Sequence, residues 1–91
     1  MKNITKTFVQ REIALDCEGR RWDWEDMNET YEALEEKNLK EGKGGYVGAI
    51  REVEKTFNPE TFKITIKVIR GREWKFNWDM SKWEFVEMKK D

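Results

Sequence analysis

Histidine is absent from this chain, and cysteine, proline and serine occur once each. Without an imidazole the sequence lacks the commonest general base and the usual zinc ligand. Cys17 has no second thiol, so an intrachain disulfide is excluded. It also has no imidazole to activate it, and a buried strand thiol beside Arg20 and Arg21 is expected. Ser81 stands in the turn-like "DMSK" with no base close in sequence. The acids Asp23, Glu25, Asp26 and Glu29 match no calcium-loop spacing, and "GKGGYVG" follows a helical pattern where a phosphate loop would open one. Neither catalysis nor a metal nor a cofactor is expected. No stretch approaches ~18 apolar residues, so no membrane span is expected. "MKNITKTFVQ" has no apolar signal core, so the sequons at Asn3 and Asn28 are expected to be idle and the compartment cytoplasmic.

Aromatic residues are what the chain does have. Hydrophobic residues make up only 37% of it, but twelve Trp, Phe and Tyr residues compensate, since each ring can bury roughly 150–250 Å². Ninety-one residues suit one domain, 1–91, with one modest core. The net charge of −1 conceals an asymmetry: residues 1–42 carry 7 basic and 11 acidic side chains, residues 43–91 carry 11 and 8. Such a dipolar surface can steer a charged partner or pair two copies, whereas a pI near 5.6 is low for a general nucleic-acid binder.

Residues 4–16 read as a strand with Val9, Ile13 and Leu15 on one side and Ile4, Phe8 and Ala14 on the other. "CEGR" supplies a turn and "RRWDW" a short return strand. A helix is then expected over 27–40, with Met27, Tyr31, Leu34 and Asn38 on one stripe and Leu39 beside it. Asp26 is its expected N-cap and Gly42 its expected stop. "YVGAIREVEKTF", "FKITIKV", "EWKFNW" and "WEFVEM" follow as strands, with "NPET" a turn. The order ββαββββ predicts an α+β fold. It is an antiparallel sheet with one amphipathic helix packed on it, able to curl into a half-barrel.

A turn at Gly71 would fix where the tryptophans lie, because one residue of register moves a whole row of side chains to the other face. A three-residue "RGR" loop aligns Ile64, Ile66 and Val68 with Trp74, Phe76 and Trp78 in the core. A two-residue Arg70-Gly71 turn sets Lys63 and Lys67 beside Trp78 and Trp74 on a surface suited to stacking on bases. Consistent binary patterning favours the first.

Between Asp23 and Glu36 there are seven acids and no cation. With Trp22 and Trp24 just ahead, Trp22, Asp23, Trp24, Glu25, Asp26, Glu29, Glu32, Glu35 and Glu36 form the expected partner-binding surface, aimed at a protein with a basic groove. The alternative is single-stranded nucleic acid on the hairpin 62–78 through Lys63, Lys67, Arg70, Arg72 and Lys75. A closing strand at a sheet edge also allows pairing with a second copy. In size, charge density and lack of catalytic residues the chain is similar to the small host-takeover and anti-defence proteins of phages. That likeness is one of composition and implies stoichiometric inhibition.

Overall fold

The computed structural model describes residues 2–14, 22–41 and 48–88. The expectations for Leu15, Cys17, the "CEGR" turn and the helix stop at Gly42 lie outside them. Five strands and one helix follow in the order β1 (Ile4–Ala14), β2 (Trp22–Met27), α1 (Tyr31–Glu41), β3 (Ala49–Asn58), β4 (Lys63–Asn77) and β5 (Lys82–Glu87). All pairings are antiparallel and the strand order is β2-β1-β3-β4-β5. The α+β class is as expected, and the sheet stays open.

Two elements differ from the sequence reading. The helix begins at Tyr31, not at residue 27. Thr30 is its cap, with Oγ1 accepting from the Ala33 amide at 3.1 Å. Asp26 and Met27 instead extend β2, where "WDWEDM" alternates cleanly enough to pair with β1 from Val9 to Ala14. Tyr31, Leu34 and Asn38 form the inner stripe as expected, each nearly inaccessible, and Met27 joins the same core from the strand.

The larger difference is that no turn exists at Gly71. "FKITIKV" and "EWKFNW" belong to one strand, so the sheet has five strands rather than six. Gly71 sits where neighbouring chains approach closely. A Cβ there would lie 2.8 Å from Met88 Sδ and 3.0 Å from the Ile50 carbonyl oxygen, so it would displace the Met88 side chain and press on the β3 backbone. A glycine that signals a turn in sequence here marks a crowded point inside a strand.

Midway along β4 the ladder takes in one extra residue. Val53 pairs with Val68 while Glu52 pairs with Arg70, leaving Ile69 as a β-bulge. Residues directly opposite in a ladder share a face, so the register fixes both faces. Before the bulge Ile64, Ile66 and Val68 lie with Phe57, Lys55 and Val53. Beyond it Arg70, Arg72, Trp74 and Phe76 lie with Glu52 and Ile50 on the helix side. Every one of these β4 residues is even-numbered, and only the bulge separates them onto opposite faces.

Under the helix the core consists of Tyr31, Leu34, Ile50 and Phe85, with Val9, Met27 and Trp74 packed against it. Trp74 stacks on Phe85 at 5.1 Å and its Nε1 donates to the Asn38 carbonyl at 3.2 Å. Trp74 therefore points inward as expected and is partly buried, whereas the expectation fails for Trp78, which is 82% exposed. Trp78 follows the last residue of β4 and stands in the four-residue turn to β5.

Candidate functional site

Neither surface expected from sequence is assembled as one unit, because each neutralises the other across the helix–sheet contact. Arg70, on the helix side of β4, donates through Nη2 to Glu32 at 2.8 Å and through Nε to Glu52 at 3.1 Å. Its guanidinium also lies 4.0 Å over the Tyr31 ring. The Arg70 hydrogen bond holds the Glu32 carboxyl below the usual glutamate range. That contribution is present at neutral pH and is lost as the pH falls through the depressed folded value. Arg72 pairs with Glu35 at 3.4 Å and donates to the Phe85 carbonyl at 2.6 Å. Half-buried Glu35 and the more exposed Glu32 thus pair within the protein with the two arginines of the basic strand.

The remaining acids are dispersed. Glu29 pairs with Lys37 and Glu36 with Lys40, both at exposed sites where such pairs contribute little. Asp23 and Glu25 lie on the helix side of β2, with Glu25 bonded to Arg11 at 2.9 Å. Trp24 and Asp26 point to the opposite face. There Arg51 lies 4.0 Å over the Trp24 ring, and Gln10, only 3% exposed, links Asp26 to Arg51 through bonds of 2.6 and 2.8 Å. Trp22 heads β2, and Lys75 faces away from the helix beside Glu73. Lys63 and Lys67 are exposed on the helix side of the sheet, beyond the helix.

An open apolar surface lies outside both surfaces expected from the sequence. Beyond α1 the sheet narrows to a three-stranded wing made of the first half of β1, the second half of β3 and the first half of β4. Its rows across the face turned away from the helix are Ile4–Phe57–Ile64, Lys6–Lys55–Ile66 and Phe8–Val53–Val68. Ile4, Ile64 and Ile66 are each more than half exposed, and Ile4, Lys6, Phe8, Lys55, Phe57 and Ile64 line a shallow hollow of about 230 Å³. The opposite side of the wing is polar, with Thr5, Thr56 and Thr65 in one row. The available signal was the mixed patterning of β1, whose even-numbered Ile4 and Phe8 need a second face.

The turn at the end of the wing adds an aromatic ring. Asn58 Oδ1 accepts from the Glu60 amide at 2.9 Å, and the Phe62 amide bonds to the Asn58 carbonyl at 2.8 Å. Phe62 therefore takes a left-handed backbone, φ 57°, yet its side chain is 78% exposed. Its ring lies 6.2 Å from Phe57. This backbone is unfavourable for phenylalanine. Phe62→Asn is expected to stabilise the protein by about 1 kcal/mol, since Asn tolerates this backbone; urea unfolding would measure it, and a loss of stability would contradict it.

A second exposed aromatic group lies at the β4–β5 turn. Phe76 meets Trp78 at 4.6 Å and Trp83 at 5.4 Å, both edge-on, with Met80 nearby in the turn and 59% exposed.

Glu12 and Glu73 share the face turned away from the helix. Burial, then repulsion from Glu73, pushes the Glu12 carboxyl up, and Arg51 opposes the shift. A raised folded value means that ionised Glu12 costs stability above it, and the cost disappears as the pH falls below the unfolded value. Glu12→Gln is expected to give a small gain in stability at neutral pH that vanishes in acid. Thermal melts across pH would reveal a pH-independent difference if this is wrong.

Among the described residues no group of three or more acidic or thiol side chains is arranged to hold a metal ion. No helix among them is long and apolar enough to cross a membrane. No family model, curated protein or solved structure matches the chain.

Proposed function

We propose that this protein is a non-catalytic interaction module that binds a partner protein stoichiometrically. The observation that carries this reading is the uncovered wing. It shows a solvated sheet face of Ile4, Ile64 and Ile66 around Phe8 and Phe57, ending in the strained Phe62. Contiguous exposed apolar patches on small domains mark interaction sites. The compositional likeness to phage inhibitors agrees with action by occupancy, without turnover. In this reading the acidic helix acts at a distance. Glu29 and Glu36 attract a basic partner, while Glu32 and Glu35 serve the fold.

The test is recovery of a partner at fixed molar ratio from the native source, judged by native mass spectrometry. Ile64→Glu with Ile66→Glu is expected to abolish recovery while leaving the circular dichroism unchanged. Glu29→Lys with Glu36→Lys is expected to slow association and alter its salt dependence. A complex that survives the wing variant intact would overturn the wing as the binding surface.

One observation favours a second reading, single-stranded nucleic acid. The rings of Trp78 and Trp83, 82% and 42% exposed, pack edge-on against Phe76. Exposed rings can stack on bases. An oligonucleotide titration should then quench tryptophan emission at low salt, and Trp78→Ala should remove most of the change. Absence of quenching ends this reading.

A further inference from the structure

The wing is open along its outer edge as well as on its face. β5 pairs with β4 only from Arg72 to Asn77, and the Met88 amide adds one bond to Gly71. From Lys63 to Val68 no described strand lies on the side of β4 away from β3. An unpaired strand edge is a template for another strand. Here the two faces of that edge differ in chemistry. Ile64, Ile66 and Val68 continue the apolar rows on one side, while Lys63 and Lys67 stand on the other with no ion pair among the described residues.

We propose that this edge accepts an extended segment of a partner protein in which apolar and acidic residues alternate. The segment joins the sheet as an added strand. Its apolar side chains extend the Ile64–Ile66–Val68 rows, and its carboxylates face Lys63 and Lys67. Main-chain hydrogen bonds supply affinity, and the two-residue alternation supplies specificity, since a strand shifted by one residue would set carboxylates against isoleucine.

Charge selects this occupant over a second copy of the chain. Over residues 4–8 and 53–68 the wing carries Lys6, Lys55, Lys63 and Lys67 against Glu54 and Glu60. Two wings brought face to face would bring together their Lys6 residues, with Lys55 already paired to Asp26 at 3.6 Å. Pairing the edge with itself about Thr65 would set Lys63 against Lys67, and like charges directly opposite destabilise a ladder. An acidic strand instead sets carboxylates beside Lys63 and Lys67.

The inference rests on the binding-module reading but is tested separately from it. The probe is a blocked synthetic peptide of alternating Val and Glu, added to the full-length protein and followed by amide hydrogen exchange. Protection confined to amides between Lys63 and Val68 is expected, with affinity falling as salt rises. Lys63→Glu with Lys67→Glu should weaken binding about tenfold and should create binding of the alternating Val/Lys peptide, which the original protein refuses. Both lysines are exposed, so circular dichroism should show the double variant folded.

Four outcomes overturn the proposal. They are no protection at millimolar peptide, equal binding of a peptide with the same residues in separate Val and Glu blocks, stronger protection of the same amides by an oligonucleotide, and protection already present in a dimer of the free protein. If the peptide fails while the Ile64→Glu, Ile66→Glu variant still loses its native partner, the edge is wrong and the binding module stands. If the peptide binds but no partner depends on the wing, the module reading fails instead.

Discussion

Deleting Glu73 is expected to unfold the protein, whereas deleting Ile69, a little earlier in the same strand, is expected to leave it folded. Removing Glu73 can be absorbed in two ways. If the bulge stays, Trp74 falls into the position of Glu73 on the face away from the helix. It then loses both its stacking on Phe85 and its bond to Asn38. If the bulge is given up, Trp74 keeps its place but Arg70 drops into the Gly71 position. A Cβ there meets Met88 Sδ at 2.8 Å and the Ile50 oxygen at 3.0 Å, and the Arg70 bonds to Glu32 and Glu52 are lost. Loss of a packed aromatic alone costs about 3–5 kcal/mol, against a total stability of about 5–15 kcal/mol for folded domains in general. Deleting Ile69 places Val68 and Arg70 opposite Val53 and Glu52 in an ordinary ladder, with every other side chain on its present face. The loss is that of one half-buried side chain, about 1 kcal/mol. Urea unfolding of the two deletions measures the contrast, and equal damage from both would show that the bulge does not set the phase of the strand.

Replacing Leu34 with alanine should lower stability by about 2–5 kcal/mol, the usual range for a buried leucine. Leu34 is 1% exposed and lies at the centre of the inner helix stripe with Tyr31 and Ile50. Alanine is the best helix former, so the loss reports packing alone. In a domain of this size each kcal/mol lowers the melting temperature by about 4–8 °C, and a fall of roughly 10 °C or more is expected. Leu39→Ala on the same helix, at a residue 49% exposed, is the control and should change the melting temperature far less. Similar effects from the two would mean that the helix is not anchored through Leu34.

The helix stripe was legible because its period involves only near neighbours. Tyr31, Leu34 and Asn38 could be placed on one face before any partner was known. Its start was not legible. Asp26 and Thr30 are both good caps, and pairing of β2 with β1 decided between them by drawing Asp26 into the sheet beside Gln10. Both turns between long strands were marked, and both use an asparagine side chain that accepts a turn amide, Asn58 and Asn77.

In sequence the acidic run and the basic hairpin stand as separate surfaces, because linear charge counts do not show which side chains meet. In three dimensions Glu32 meets Arg70 and Glu35 meets Arg72, so part of each surface is spent on joining helix to sheet. The exposed apolar side chains of the wing are Ile4, Ile64 and Ile66, whose pattern in sequence resembles that of ordinary core residues. Their alternation is visible in the sequence, whereas the direction in which they point is set by strand pairing.

By itself the sequence determined the class of fold, the helix face and the supply of rings, because these follow from local period and composition. Only the tertiary structure decided that β4 runs through Gly71 and carries its isoleucines and its Trp74 on opposite faces. A bulge at Ile69 and a close approach between strands are properties of pairing, and no single strand contains them.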